Sequence, residues 1–288
     1  MTRLPLIAKR AEELIGSAVI ATAPVAGGDI STATRIRTSD GTTALVKTFH
    51  QAPEGFFDAE ARGLTWLAEA ADRGGVAVPD LLGHDHECLV VRWVEPGKTT
   101  ADAAVAFGQS LARSHRAGAD GFGAEHDGYI GRLPMPNRTA SSWPEFYATR
   151  RVLPYLKLAR DRHAISDDDA AAVEAVVGRL PDLVPEEPPA RLHGDLWNGN
   201  VLWGQDGQCW VIDPAAYGGH REVDLAMLSL FGLPHLHRML DAYEAEHPLA
   251  DGWRDRVGIH QLFPLLVHAC QFGGGYGARA ADVARSFA

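Results

Sequence analysis

The chain has 288 residues, 46% of them apolar, and a formal net charge of −10. That length supports two lobes or one large domain around a real core, and the acidic balance argues against a general nucleic-acid partner, which would need a basic face; a phosphate ligand stays open, because a bound cation and one or two local basic side chains suffice. The three cysteines, Cys88, Cys209 and Cys270, are widely spaced and odd in number, so they form neither a disulfide framework nor a paired metal motif, and a reducing cytoplasm is the simplest compartment.

Residues 1–10 hold a short apolar run broken by Pro5 and then charges, which is not the pattern of a signal peptide. Residues 18–26 are β-prone and end at Gly27-Gly28. Residues 32–38 and 42–49 flank Ser39-Asp40-Gly41 and predict a hairpin. Gly27, Gly28, Asp29, Ile30 and Ser31 lie between two strand signals, where glycines let backbone N–H groups approach phosphate oxygens; an ordinary hairpin turn uses the same residues. Lys47 shares a strand face with Leu45 and Phe49, and a lysine on a core-facing side calls for an anion. Residues 58–73 predict a helix closed by Gly74-Gly75, with Glu60, Leu64, Leu67 and Ala71 on one stripe. Glu60 therefore turns inward and is the candidate partner of Lys47, the alternative being a solvated glutamate and an edge-strand lysine.

Residues 89–94 predict a short buried strand, broken by Glu95-Pro96-Gly97. This break is the expected junction between an N-terminal lobe, residues 1–95, and a C-terminal lobe, residues 96–288. Arg92, Trp93 and Val94 offer a backbone edge suited to a purine ring, although core packing alone gives the same apolar pattern. Pro96-Gly97-Lys98-Thr99 resembles the end of a Walker phosphate loop, but Arg92 stands where that motif wants another glycine.

Helix signals dominate the rest. Thr100 caps a helix to about residue 116, with Ala104, Phe107 and Leu111 on one face. Ser166, with Asp169 three residues on, opens another that carries Val173, Val176, Val177 and Leu180. Residues 181–190 contain four prolines and read as an exposed connection. Residues 223–230 and 262–272 predict buried helices, the second too short to span a bilayer and containing Pro264 and His268. No membrane partner is expected. His84-Asp85-His86 and His235-Leu236-His237 lack partners at zinc-ligand spacing.

The most informative stretch is Leu192-His193-Gly194-Asp195-Leu196-Trp197-Asn198-Gly199-Asn200. Asp195 and Asn200 stand five residues apart, and Asp213 follows thirteen after Asn200. Between them, two short β-prone runs flank Gln205-Asp206-Gly207, a hairpin that returns Asn200 and Asp213 to one end. Phosphoryl transfer from a metal-bound nucleotide needs such a set: one carboxylate to orient a hydroxyl and take its proton, and a carboxamide and a second carboxylate to hold the metal. The plainer reading, a surface loop with capping Asp and Asn, leaves the preceding His-Gly and the later Asp213 unexplained.

With those residues in place, the chain resembles the fructosamine (ketosamine) kinase family, relatives of the aminoglycoside and choline kinases in the protein-kinase-like superfamily. His193 to Asn200 is similar to the family's HGDLW-x-GN signature, and residues 213–227, from Asp213-Pro214-Ala215 to Arg221-Glu222-Val223-Asp224-Leu225-Ala226-Met227, to its DPA and REVDLAM run. Asp127-Gly128-Tyr129-Ile130-Gly131 and Trp143-Pro144-Glu145-Phe146-Tyr147 also resemble family landmarks. The resemblance implies an α+β, two-lobed protein-kinase-like fold with a small β-rich N-lobe and a larger, mainly helical C-lobe. It implies ATP and Mg2+ as cofactors and a ketosamine acceptor, phosphorylated on the sugar 3-hydroxyl, a deglycation repair reaction. By position Asp195 would be the base and Asn200 and Asp213 the metal ligands. Trp197 would offer an indole face to the sugar or else pack under the loop, His193 and Asp224 would brace the catalytic loop, and Arg221 stays open between salt bridge and ligand. Asp29 occupies a place where many members carry cysteine, so a redox switch in that loop is not expected. An aminoglycoside, choline or other amino-alcohol kinase, and a silent nucleotide-binding scaffold, are the competing readings. A cytoplasmic monomer or weak dimer is expected.

Overall fold

The computed structural model describes residues 6–26 and 31–287. Helix α1 (Leu6–Ile15) precedes strands β1 (Val19–Val25), β2 (Thr32–Thr38) and β3 (Thr43–Thr48). Helix α2 (Phe56–Ala68) and strands β4 (Leu81–His84) and β5 (Cys88–Arg92) complete the N-terminal lobe. The five strands form one antiparallel sheet in the order β1-β2-β3-β5-β4. Alternation divides its residues between two cores. Ile36, Ala44, Val46 and Val90 pack against Ala8 and Ala11 of α1. Leu45, Leu89 and Val91 face Phe57, Ala61, Leu64 and Leu67 of α2.

Two of these elements are absent from the sequence reading. Helix α1 falls in the segment read as a broken apolar run. Strand β4 has a half-buried, Gly-containing sequence with a weak β signal. Gly83 passes close to α1: a Cβ there would lie 3.1 Å from Leu14 Cβ and 3.2 Å from the Leu14 carbonyl. The helix predicted over 58–73 ends at Ala68 and is followed by a separate tight turn at Ala71–Arg73.

The C-terminal lobe holds α3 (Ala101–Arg116), the hairpin β6 (Gly128–Ile130) and β7 (Leu133–Met135), α4 (Trp143–Phe146), α5 (Leu153–Asp161) and α6 (Asp167–Leu183). After β8 (Ala190–Leu192) come β9 (Val201–Trp203), β10 (Cys209–Val211), β11 (Tyr217–Gly219), α7 (Glu222–Phe231), α8 (Leu236–Glu246), α9 (Trp253–Phe272) and α10 (Tyr276–Arg285). The Thr100 hydroxyl accepts from the Ala103 N–H, and Ser166 accepts from the Asp169 N–H, the two caps read from sequence. Helix α6 continues through Pro181 to Leu183, three residues into the stretch read as connection. Helix α9 starts nine residues before the predicted 262 and runs through Pro264, its apolar face buried against α5, α7 and α10.

Between the lobes the chain is pinned rather than free. The Gly97 N–H donates to the Trp203 carbonyl (2.6 Å), and the Gln205 N–H to the Glu95 carbonyl (2.8 Å). Among the described residues no helix is long and apolar enough to cross a membrane. All three cysteines are buried; burial pushes the thiols of Cys88 and Cys209 up to about 12 and that of Cys270 to about 11.

Candidate active site

Strand β3 delivers Lys47 and helix α2 delivers Glu60, because the inward stripe of the helix faces the Leu45–Lys47 side of the sheet. Lys47 Nζ lies 2.6 Å from Glu60 Oε1 and 2.7 Å from Asp213 Oδ1. Lys47 and Glu60 are buried. Burial alone would lower the Lys47 pKa, but the Asp213 and Glu60 carboxylates outweigh it and hold the ammonium above the ordinary lysine range. Burial raises the Glu60 carboxyl, opposed by Lys47.

Asp195 follows β8, where Gly194 takes a φ of +80° and a Cβ would fall 2.0 Å from the Ala215 carbonyl. Only glycine passes so close in the left-handed region. The Asn200 amide donates to the Asp195 carbonyl (2.8 Å) and to Asp195 Oδ2 (3.1 Å). Burial, then the Asp213 carboxylate, pushes the Asp195 carboxyl up to about 7, against the Asn200 hydrogen bond. The β9–β10 hairpin pairs Val201 with Val211, and the Ile212 N–H donates to the Asn200 carbonyl (3.0 Å). Asn200 and Asp213 thus return to one end. Asp213 itself has φ +56° before Pro214, a strained conformation of the kind that gathers at functional positions. Lys47, Glu60, Asp195, Asn200 and Asp213 all border one cleft of about 1930 Å³.

The loop is braced from beneath. Both oxygens of buried Asp224, in the first turn of α7, accept backbone N–H groups, from His193 (2.8 Å) and Gly194 (3.0 Å). The His193 ring contacts the Ile212 carbonyl (2.9 Å). Sequence reading missed the next layer: His115 Nε2 lies 3.1 Å from Asp224 Oδ2, and its Nδ1 2.7 Å from the Tyr243 hydroxyl. The signal was present, since His115 extends the Ala104, Phe107, Leu111 stripe of α3 by one turn.

Trp197 is partly exposed, 6.2 Å edge-on from Phe231, and its indole occupies the space a Cβ on Gly199 would need. With His268, Phe272 and Tyr276 it forms an aromatic wall of the cleft. On the sheet side Ser31, Arg92, Trp93 and Val94 line the same cleft. The Arg92 N–H is engaged with the Asp80 carbonyl (2.8 Å) and that of Trp93 with Thr43 (3.0 Å), so Val94 is the stronger backbone contact for a ring. Gly27, Gly28, Asp29 and Ile30 lie outside the described residues.

Arg221 is not at the cleft. Its guanidinium forks onto Glu187 (2.7 and 2.8 Å) and donates to the His247 and Pro248 carbonyls. We expect Arg221→Met to lower the melting temperature, by leaving Glu187 unpaired, while KM for both substrates is unchanged; thermal denaturation beside steady-state kinetics checks this.

Buried His220, Glu222 and His260 also lie within reach of one ion. The Glu222 N–H donates to His220 Nδ1 and the Trp143 indole N–H to His260 Nε2. One nitrogen of each ring is therefore engaged by the protein, while His220 Nε2 and His260 Nδ1 have no hydrogen-bond partner among the described residues.

The fructosamine kinase family profile matches residues 4–287. A probable ketoamine kinase of Enterococcus faecium is 36% identical over 92% of this chain and 94% of its own length. The chloroplastic protein-ribulosamine 3-kinase of Arabidopsis thaliana is 31% identical over 90% and 80%. A crystal structure described as a fructosamine-3-kinase from Thermobifida fusca superposes with a TM-score of 0.93 at 50% identity, covering 98% of each chain. In fold alone, the choline kinase of Streptococcus pneumoniae superposes at a TM-score of 0.62 and 17% identity over 97% of this chain and 96% of its own.

Proposed function

The chain belongs to the fructosamine kinase family, and from that membership we propose that the cleft transfers the γ-phosphoryl group of ATP to the sugar 3-hydroxyl of a ketosamine, such as a fructosamine or ribulosamine. The relatives act on ketoamines by name; the assignment of roles to residues is ours. The observation that carries it is the unbroken chain of contacts Glu60–Lys47–Asp213, opening on the same cleft as Asp195–Asn200.

Asp195 takes the hydroxyl proton as the oxygen attacks phosphorus and ADP leaves. Its raised pKa suits a group that must accept a proton near neutrality. Lys47 steadies the nucleotide phosphates, Glu60 holds Lys47, and Val94 with the adjoining Arg92 and Trp93 receives adenine. The glycine-containing segment Gly27, Gly28, Asp29, Ile30 and Ser31 is assigned to the phosphates from its sequence, and the aromatic wall around Trp197 to the sugar. His193 and Asp224 keep the loop in place. The lobes meet at residues 95–96.

The donor set fits a hard divalent cation. Asn200 uses its amide N–H groups on Asp195, leaving Oδ1, and Asp213 gives Oδ1 to Lys47, leaving Oδ2. Two oxygens completed by waters and phosphates are what Mg2+ prefers, and Mg2+ would neutralise charge between the phosphates.

Incubation with Mg-ATP and a fructosyl-amine, followed by ADP release and location of the phosphate by NMR, tests this. Turnover should stop with excess chelator and return with Mg2+. No ADP release with any ketosamine, beside turnover of an aminoglycoside or choline, would overturn the acceptor.

A further inference from the structure

Helix α2 carries Glu60, yet it is fastened to the other lobe by a residue whose hydrogen bonds go to neither Lys47, Asp195, Asn200 nor Asp213. Arg191 sits in β8, four residues before Asp195. Its guanidinium donates to the Trp66 carbonyl in the last turn of α2, where carbonyls lack helical partners. It also lies 3.0 Å from Glu69 Oε2, donates to the Gly118 carbonyl (3.3 Å), and stacks over the Trp66 ring at 4.6 Å. A cation at a helix C-terminus is favourable on electrostatic grounds as well. One turn beyond Glu60, Gly63 lets α2 close onto the segment after Asp213: a Cβ there would meet Pro214 Cγ at 3.1 Å and Ala216 Cβ at 3.4 Å. At the N-terminal end, the Tyr129 hydroxyl donates to the Glu54 carbonyl (2.8 Å), and its ring lies 5.3 Å from Phe56. Helix α2 is thus held at both ends and in the middle by the lobe that carries Asp195.

We propose that Arg191 is a positioning residue that fixes α2 inward, keeping Glu60 on Lys47 and the nucleotide site assembled without ligand. Arg191 acts through Glu60, not on substrate. The strand that sets Asp195 therefore also sets Lys47, and the two halves of the site share one mechanical anchor. This rests on the nucleotide role given above to Lys47 and Glu60.

The test is a double-mutant cycle with separate KM values for nucleotide and ketosamine. Arg191→Met should raise the nucleotide KM about five- to tenfold, leave the ketosamine KM unchanged, and speed amide exchange across α2 in the unliganded protein. Arg191→Lys should restore part of the loss, since an ammonium reaches the Trp66 carbonyl but cannot fork or stack. Trp66→Leu, which keeps the arginine, should give a smaller change in the same parameter. In a Glu60→Gln background, Arg191→Met should add nothing further. If the two losses multiply, or the ketosamine KM rises equally, Arg191 does not act through Glu60 and the proposal fails. If Glu60→Gln itself leaves the nucleotide KM unchanged, the nucleotide role of the Lys47–Glu60 pair fails instead.

Discussion

Asp195→Asn is expected to lose turnover by about 10²- to 10⁴-fold or more and yet to melt at a higher temperature than the unaltered protein when nucleotide and metal are absent. Both effects come from the same environment. Burial and the nearby Asp213 raise the Asp195 carboxyl to about 7 in the folded state, against about 3.9 in an unfolded chain. The native state therefore holds this proton more tightly than the unfolded state does. Stability from this group is fully present below about pH 4 and is lost as pH rises through about 7. Asparagine never ionises, keeps the shape, and can still accept from Asn200. The gain in stability should be near zero at pH 4, grow through neutrality and level off above pH 8, on the order of a few kcal/mol at most. Denaturation scans across that range, beside single-turnover kinetics, measure both halves. A variant that stays active removes Asp195 as base; one with a pH-independent stability difference removes the electrostatic account.

Lys47→Met is expected to damage function and stability together. Lost phosphate contact should lower kcat/KM by roughly 10²-fold or more. The lysine also neutralises Glu60, whose carboxylate is otherwise buried without a cation. Removing one partner of such a pair costs about 3 kcal/mol or more, a fall in melting temperature of about 5–10 °C. Burial already favours protonated Glu60, so without Lys47 the glutamate neutralises itself at low pH. The stability deficit should then shrink as pH falls from 8 to 5. Adding Glu60→Gln should recover much of the melting temperature and none of the activity. Failure of that rescue would show that Glu60 is not the stranded charge.

Much of this site is legible in the sequence because chemistry restricts its residue types. The Asp195, Asn200 and Asp213 spacing is meaningful only if a hairpin returns the chain, and β-prone runs around a turn announce one. Lys47 and Glu60 were paired by facing: two opposite charges on core-directed sides of adjacent elements have few other places to go. What escaped notice depends on contacts distant in sequence. Strand β4 passes close to α1 at Gly83, an approach that no local pattern reveals. The first turns of α9 contain Arg254, Asp255, Arg256 and Gln261 and lack an apolar stripe; Arg256 is held by Glu222, 34 residues away. Pro181 and Pro264 sit inside helices because tertiary packing overrides local preference. Arg221 stayed ambiguous because a buried salt bridge and a phosphate ligand ask for the same side chain, and only the position of Glu187 separates them.

The deep placement of Cys88, Cys209 and Cys270, with thiols too weakly acidic to ionise near neutrality, makes the natural protein a silent background for sulfur chemistry. Electrophilic inhibitors aimed at thiols will find no handle in the folded chain. A single cysteine introduced on an exposed position will be alkylated alone, so a spin label or fluorophore can be placed beside the cleft without first stripping out the native residues.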